Sequence, residues 1–162
     1  YISRRQRQMC IRDSGSMCLS SSIGLGLALS VKKNVISIDG DGSILMNMNT
    51  LATIGNRALN NYTLLIIDNG SYGSTGDQKT FTDEKTSLKE VAIGAGCHNV
   101  IECKGSETPS NLNKALDDKN NSYVIISKID PGNVSVKPIP INPITIRDRF
   151  RKIIGKVDYL KF

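Results

Sequence analysis

The chain has 162 residues, 39% of them hydrophobic and 22% charged, which is typical of one soluble globular domain with a single core. This composition excludes fibrous, collagen-like and wholly disordered chains. The formal net charge of +6 suggests nucleic-acid binding, but residues 15–146 carry a net charge of −1 and the excess lies at the two ends. A basic nucleic-acid-binding domain is therefore kept only as the non-enzymatic alternative.

The first fourteen residues differ in character from the rest of the chain. They contain four Arg and one Asp, show no helical or strand periodicity, and resemble translated adaptor sequence. We expect residues 1–14 to be non-native or disordered and residues 15–162 to form one domain. The alternative is a signal peptide, because the four Arg precede an apolar run at residues 23–30. That run contains two Gly and is followed by no cleavage-like site.

Apolar runs and cysteines indicate the cellular compartment. No apolar stretch approaches the roughly 20 residues of a transmembrane helix. The four Cys, at positions 10, 18, 97 and 103, form no CxxC pair. This pattern predicts a cytoplasmic protein with reduced thiols and argues against a Cys-based metal cluster.

Helix and strand patterns alternate along the chain. They predict a helix at 20–31, a strand at 34–39, a helix at 43–54, a strand at 62–68, a loop at 69–82, a helix at 87–94, a strand at 99–103, a helix at 109–118 and a strand at 123–128. Four Pro between positions 131 and 143 interrupt regular structure before a last amphipathic helix at 144–154. The alternation predicts an α/β fold, a parallel sheet with helices on both faces.

The first candidate site follows the predicted strand at 34–39. Gly40 and Gly42 flank Asp41 and allow a ligand to approach the backbone closely, and free amides at the start of the next helix face an anion such as a phosphate. Because a carboxylate repels phosphate, Asp41 is best explained as the ligand of a divalent cation that bridges to the phosphates. A Gly-Asp-Gly sequence alone is also common in ordinary turns.

The second candidate site is Asp68-Asn69-Gly70-Ser71-Tyr72-Gly73, at the end of the next strand. Ligands of open parallel sheets collect at the carboxyl ends of the strands, so we expect Asp41 and Asn69 to lie side by side. One carboxylate, one Asn oxygen and one turn carbonyl suit Mg²⁺, which keeps part of its coordination shell for phosphates. The spacing therefore predicts a metal-diphosphate site.

These segments together resemble the diphosphate-binding (PP) domain of thiamine-diphosphate-dependent enzymes, over about residues 15–130. The stretches GSMCLSSSIGLGLALS, IDGDGSILMNMNTLATIG and IIDNGSYGSTGDQKT are most similar to the beta subunits of sulfopyruvate decarboxylases and to the matching half of phosphonopyruvate decarboxylases. The resemblance implies a carboxy-lyase that uses thiamine diphosphate and Mg²⁺ to convert sulfopyruvate to sulfoacetaldehyde and CO₂, as in coenzyme M biosynthesis.

The resemblance also implies roles for individual residues. The metal ligands would be Asp41, Asn69 and the carbonyl of Ser71. Gly15 would accept the exocyclic amine of the aminopyrimidine, and Met17 would be the apolar wedge beneath the bent cofactor. The full cofactor-binding set would be Gly15, Ser16, Met17, Gly40, Asp41, Gly42, Ser43, Asn69, Ser71, Tyr72 and Gly73.

Two positions depart from the family pattern. Cys18 stands where Gly usually follows the Met, which calls the local backbone conformation into question. Asp68 replaces the first Asn of the common Asn-Asn pair. Neither change removes a proposed ligand.

The family resemblance also implies a partner. Family members activate the aminopyrimidine with a Glu from a second, related domain, and residues 15–162 leave no room for it. We therefore expect no catalytic residue in this chain. The activating Glu would come from an alpha subunit with the pyrimidine-binding domain, which makes a hetero-oligomer, or from a longer polypeptide of which this chain is a fragment. The other expected partner is a small 2-oxo acid, with no role for nucleic acid or membrane.

Several alternatives share the same motifs. A phosphonopyruvate decarboxylase or an acetolactate-synthase-like carboligase would use the same cofactor site. The beta subunits of 2-oxoacid:ferredoxin oxidoreductases share the Gly-Asp-Gly and a Tyr-Gly-x-Thr-Gly loop, but their clustered Cys are missing here. In the loop at 71–82, the hydroxyls and Lys79 could bind a sulfonate or phosphonate, or Lys79 could simply be solvated.

Overall fold

The computed structural model describes residues 17–73, 75–132 and 141–154. Its helices are α1 (Ser20–Ser30), α2 (Asp41–Met46), α3 (Asn49–Arg57), α4 (Leu88–Gly94), α5 (Thr108–Asp117) and α6 (Pro143–Ile154). Its strands are β1 (Val35–Gly40), β2 (Tyr62–Asp68), β3 (Ser71–Tyr72), β4 (Gln78–Lys79), β5 (Val100–Lys104) and β6 (Tyr123–Lys128), and short 3₁₀ turns span Phe81–Asp83 and Gly105–Glu107. None of the helices in these ranges combines the length and hydropathy that a bilayer crossing requires.

Four strands form a parallel sheet in the order β1-β2-β6-β5, and β3 and β4 form a separate antiparallel hairpin. Helices α1 to α4 contribute to a core on one face of the sheet, and α5 packs on the other face. The predicted α/β class, a parallel sheet with helices on both faces, is confirmed.

The two central strands are buried along almost their whole length, as continuous apolar runs in a parallel sheet should be. Alternate residues of β2 enter different cores because successive side chains point to opposite faces. Leu64 and Ile66 belong to the larger core, and Leu65 belongs to the smaller one. This division places the strand ends, and the loops that follow them, at one edge between two packed layers.

Helix α1 lies close to β1 because it presents small residues to the sheet. Its buried positions are Ser21, Gly24, Leu25 and Ala28, which share one face of a helix. A Cβ on Gly24 would lie 1.8 Å from Ser37 Oγ, so this approach requires glycine. The close packing fixes the start of α1 beside the end of β1.

The region at 43–54, predicted as one helix, is two helices separated at Asn47 and Met48. The apolar spacing continues across this break, which is why the sequence pattern predicted one helix. Asn47 leaves the helical conformation, and its Nδ2 donates to the Cys18 carbonyl at 2.7 Å and to Ser22 Oγ at 3.0 Å. A long-range contact therefore accompanies the break. The predicted loop at 69–82 also contains regular structure, the β3-β4 hairpin.

Tyr62 connects the sheet to α1 through a buried hydrogen bond. The side chain is 1% exposed, and its Oη donates to the carbonyl of Ser21 at 2.9 Å. Burial raises the pKa of Tyr62 to about 12. The phenol therefore stays neutral in the folded protein at a pH where it ionises in the unfolded chain.

This difference predicts a pH dependence of stability. Below pH 10 the phenol is neutral in both states, and as pH rises toward 12 it ionises first in the unfolded state, which removes about 2–3 kcal/mol of unfolding free energy. Tyr62→Phe should cost about 1–2 kcal/mol at neutral pH through the lost hydrogen bond, but should lack this alkaline loss. Urea unfolding of both proteins from pH 8 to 12 tests this, and a constant difference between them would contradict it.

Candidate functional site

The two segments predicted to form the site lie side by side at the carboxyl edge of the sheet. Gly40, at the end of β1, is opposite Ile67 of β2, so Asp41, which follows β1, and Asp68, the last residue of β2, lie at neighbouring strand ends. Tyr72 from the second segment packs over Gly42 from the first, where a Cβ would lie 2.3 Å from the ring. The structure thus brings together the segments that the sequence predicted would meet.

Asp41 is a buried carboxylate with one oxygen left free by its neighbours. It is 2% exposed, and Oδ2 accepts a hydrogen bond from Thr80 Oγ1 at 2.5 Å, with Thr82 Oγ1 at 3.0 Å. Among the described residues, no hydrogen bond reaches Oδ1 and no ion pair includes Asp41. A buried charge is costly unless it is paired. A cation at Oδ1 would supply that pairing.

Asp68 is equally buried but has its charge balanced. Its Oδ2 lies 2.5 Å from Nζ of Lys128, which follows from the register that places these residues opposite each other on β2 and β6. Its Oδ1 accepts from the amide of Gly70 at 3.2 Å and lies 2.8 Å from Thr82 Oγ1. The residue that departs from the family's Asn-Asn pair is therefore neutralised by a Lys.

Two serine hydroxyls on the adjoining segments are buried without a partner. Ser43 Oγ and Ser71 Oγ make no hydrogen bond within the described structure. Proteins pair nearly all buried polar atoms, so hydroxyls left unpaired in this way are available to a polar ligand. A Cβ on Gly40 would meet no atom within 4 Å, which leaves the backbone open on that side.

The second segment begins with a tight turn. Asn69 Oδ1 accepts from the amide of Ser71 at 3.1 Å, and Gly70 adopts a φ of +65° that favours glycine. The Tyr72 carbonyl accepts hydrogen bonds from the amides of residues 75–77, and these close the turn that contains Gly73. A cleft of about 420 Å³ adjoins this turn and is lined by Asn69, Gly70, Ser71, Asp77, Lys79, Asp83, Pro131 and Gly132.

Lys79, considered above as an anion ligand, forms an ion pair at the edge of this cleft. Its Nζ lies 2.7 Å from Asp83 Oδ2, and the hydrogen bond to Asp83 raises the pKa of Lys79. The side chain is 74% exposed. Its charge is therefore shared with a neighbouring carboxylate and with solvent.

The loop before α1 bears on the Met17 and Cys18 predictions. Gly15 and Ser16 lie outside the described residues, and Met17 is 42% exposed. Cys18 has a φ of +74°, the left-handed conformation that suits the glycine usual at this position. The backbone at Cys18 therefore keeps a conformation that suits Gly and is unfavourable for Cys.

Cys18→Gly should therefore stabilise the protein. The substitution relieves about 1–2 kcal/mol of left-handed strain, partly offset by the greater freedom of Gly in the unfolded chain, for a net gain of up to about 1 kcal/mol. Denaturant unfolding measures the change. The control is Cys18→Ala, which keeps a Cβ and should show no gain; equal gains from both substitutions would refute the strain explanation.

Sequence reasoning did not single out three side chains of the site, Thr80, Thr82 and Lys128, although it considered the hydroxyls of the loop at 71–82 as ligands of a sulfonate or phosphonate. The threonines lay in a segment interpreted as loop, and their contact with Asp41 depends on how that segment folds back. Lys128 was interpretable only as the end of a strand. The available signal was its position after a buried apolar run, because ligands of parallel sheets bind at strand ends. Pairing Lys128 with Asp68 required the strand order, which the sequence does not give.

The family model for the C-terminal TPP-binding domain of thiamine pyrophosphate enzymes matches residues 1–127. The chain therefore belongs to the thiamine pyrophosphate enzyme family, and the predicted resemblance is confirmed. The match includes residues 1–14, whose separation from the domain stays a prediction.

Two relatives indicate which members of this family the chain resembles. The chain is 45% identical over 156 residues to "Sulfopyruvate decarboxylase subunit beta" of Methanocaldococcus jannaschii, which covers 96% of this chain and 81% of that subunit. It is 34% identical over 142 residues to "Phosphonopyruvate decarboxylase" of Streptomyces viridochromogenes, which covers 86% of this chain but 35% of that protein.

Solved structures support the fold. The thiamine diphosphate-dependent 4-hydroxybenzoylformate decarboxylase of Rhodococcus jostii matches with a TM-score of 0.58 at 19% identity, over 75% of this chain. This chain spans 24% of that structure's length. At this identity the likeness concerns the fold alone.

Proposed function

We propose that the chain is the beta subunit of a thiamine-diphosphate- and Mg²⁺-dependent 2-oxo acid decarboxylase that acts on sulfopyruvate. The observation that carries the proposal is the buried carboxylate of Asp41 at the sheet edge, which forms no ion pair with any described residue, beside the segment of Asn69 and Ser71. Relatives named sulfopyruvate decarboxylase subunit beta, at 44–45% identity, support the substrate.

The residues present suit a metal and a diphosphate. Asp41 Oδ1, the side-chain oxygen of Asn69 and the Ser71 carbonyl are hard oxygen donors of the kind Mg²⁺ prefers. The unpartnered hydroxyl of Ser43 and the amides of Gly42 and Ser43 would bind the diphosphate. We assign Met17 and Tyr72 to the apolar side of the cofactor, with Gly40 and Gly73 shaping the backbone around it.

When bound, thiamine diphosphate supplies the electron sink for decarboxylation, and this chain's residues position it. Thr80 and Thr82 orient Asp41, and Gly42 leaves room for the Tyr72 ring. Packed layers on both faces of the sheet exclude water from the base of the site. No residue of this chain is assigned proton transfer at the aminopyrimidine.

That step belongs to the proposed partner. We assign the activating Glu to an alpha subunit with the pyrimidine-binding domain, which makes the enzyme a hetero-oligomer. The words "subunit beta" in the names of three relatives support such a partner. The proposed location is the cytoplasm, and neither nucleic acid nor a membrane takes part.

The test is a substrate comparison on the chain co-expressed with its partner subunit, in the presence of thiamine diphosphate and Mg²⁺. Sulfopyruvate should be decarboxylated with a kcat/KM at least about tenfold above that of phosphonopyruvate. Faster turnover of phosphonopyruvate would favour the second candidate, which the Streptomyces relative supports. Acetolactate formed from pyruvate would indicate a carboligase. DNA or RNA binding without turnover, stronger than a net charge of +3 explains once residues 1–14 are deleted, would favour the non-enzymatic alternative.

A further inference from the structure

A hydrogen-bonded chain of side chains connects the end of β6 to the proposed metal ligand. It runs from Lys128 Nζ to Asp68, from Asp68 to Thr82 Oγ1, and from Thr82 Oγ1 to Asp41 Oδ2, with distances of 2.5, 2.8 and 3.0 Å. Thr80 joins it, 2.5 Å from Asp41 and 2.8 Å from Thr82. We call these five residues the carboxylate relay.

The number of protons in the relay shows what Lys128 does. A threonine hydroxyl carries one proton, so Thr82 can donate to Asp41, to Asp68 or to Thr80, but to only one of them. Asp68 already accepts from the amide of Gly70 and pairs with Lys128. With Asp68 neutralised in this way, the proton of Thr82 can go to Asp41, whose Oδ2 then accepts from two hydroxyls, while no hydrogen bond reaches Oδ1 among the described residues.

The charges of the two buried carboxylates also indicate a role for Lys128. Asp41 and Asp68 are each 2% exposed, and among the described residues Lys128 is the cation that contacts either of them. The two carboxylates and Lys128 together have a net charge of −1. A bound divalent cation changes this to +1, which attracts a diphosphate. Without Lys128 the same site has a charge of −2 and is only neutralised by the cation.

We propose that Lys128 is a positioning residue of the metal-diphosphate site: by neutralising Asp68 it directs Thr82 to Asp41 and sets the charge that the diphosphate meets. This inference rests on the proposed function and adds a residue that contacts neither metal nor cofactor. The proposal predicts opposite effects on two affinities. Loss of Lys128 should tighten binding of a bare cation and weaken binding of the diphosphate, whereas simple structural damage weakens both.

The experiment compares Lys128→Met with wild type in the complex with the partner subunit. Removing one charge within several ångströms of the site should raise the half-saturating concentration of thiamine diphosphate, at saturating Mg²⁺, by about tenfold. Binding of Mn²⁺ alone, followed by its electron paramagnetic resonance signal, should tighten by at least about threefold. Lys128→Arg, which keeps the charge, should stay close to wild type.

Lys104→Met is the matched control. Lys104 lies at the same sheet edge, opposite Lys128 in the register of β5 and β6, and does not contact Asp68. Its removal should change both affinities by less than about twofold, because an exposed and more distant charge is screened. Equal effects of Lys128→Met and Lys104→Met would overturn the proposal.

Asp68→Asn provides the opposite perturbation and covers the case in which Lys128→Met does not fold. It keeps the shape and removes a negative charge, so Mn²⁺ alone should bind more weakly while thiamine diphosphate binds at least as tightly as in wild type. Added to Lys128→Met, it should bring the half-saturating cofactor concentration back to within about threefold of wild type. If the double variant shows no recovery, or Asp68→Asn weakens both ligands, the inference is wrong.

The wild-type complex separates this inference from the proposed function. If it binds thiamine diphosphate with Mg²⁺ and the variants fail to diverge, the inference alone is overturned. If the wild-type complex shows no cofactor binding, both are overturned.

Discussion

Asp41→Asn is expected to abolish the rise in melting temperature that thiamine diphosphate and Mg²⁺ give to the chain mixed with its partner subunit. A ligand that binds only the folded state stabilises by about 2.7 kcal/mol at one hundred times its dissociation constant. Asn retains an amide oxygen but removes the negative charge that holds the divalent cation, and without the cation the diphosphate binds weakly. Thermal unfolding with and without both ligands measures the gain.

Asp41→Asn is preferred to Asp41→Ala as the first variant because it preserves an acceptor for Thr80, which is 1% exposed. Asp41→Ala should also lose the gain, but it leaves that hydroxyl unpaired, at a cost of about 1–3 kcal/mol without ligand. Asp117→Ala, exposed at the end of α5, controls for the loss of one negative charge. A full thermal gain in Asp41→Asn would disprove the assigned metal site.

Gly24→Ala is expected to destabilise the protein by about 1–3 kcal/mol, despite the better helix propensity of Ala. The new Cβ would lie 1.8 Å from Ser37 Oγ and 3.2 Å from Ser37 Cβ, so α1 must move away from β1 or the Ser37 side chain must rotate. Rotation costs the partly buried hydrogen bond from Ser37 Oγ to the Ser20 carbonyl. Denaturant unfolding gives the change in free energy.

Gly26→Ala is the control within the same helix. A Cβ at this position meets no atom within 4 Å, so the substitution should stabilise by up to about 1 kcal/mol through helix propensity alone. Combining Gly24→Ala with Ser37→Ala removes the colliding oxygen and should recover much of the loss. Two glycines two positions apart thus have predicted effects of opposite sign, and effects of the same sign would refute the close-packing argument.

The local patterns of the sequence were sufficient for most elements. The strands at 62–68 and 123–128 have the predicted bounds, because polar turn residues mark both ends of each buried apolar run. The Gly-Asp-Gly lies at a strand end, as predicted, for the same reason. Both are properties of neighbouring residues, which a single sequence displays in full.

Contacts between distant residues decided the rest. The break at Asn47 is accompanied by a hydrogen bond to the Cys18 carbonyl, 29 positions away, and the continuous apolar spacing at 43–54 does not reveal it. Asp68 was recognisable as a departure from the family pattern, but its neutralisation by Lys128 depends on β6 lying beside β2, 60 positions later.

The sequence by itself therefore determined the fold class and most of the elements, and it placed the two segments of the candidate site at strand ends, because periodicity and turn residues act locally. The tertiary structure decided which oxygen of Asp41 is free, which hydroxyls hold the other oxygen, and which Lys balances Asp68. These features depend on strand order and on the folding back of Thr80 and Thr82, which are fixed by packing between elements far apart in the chain.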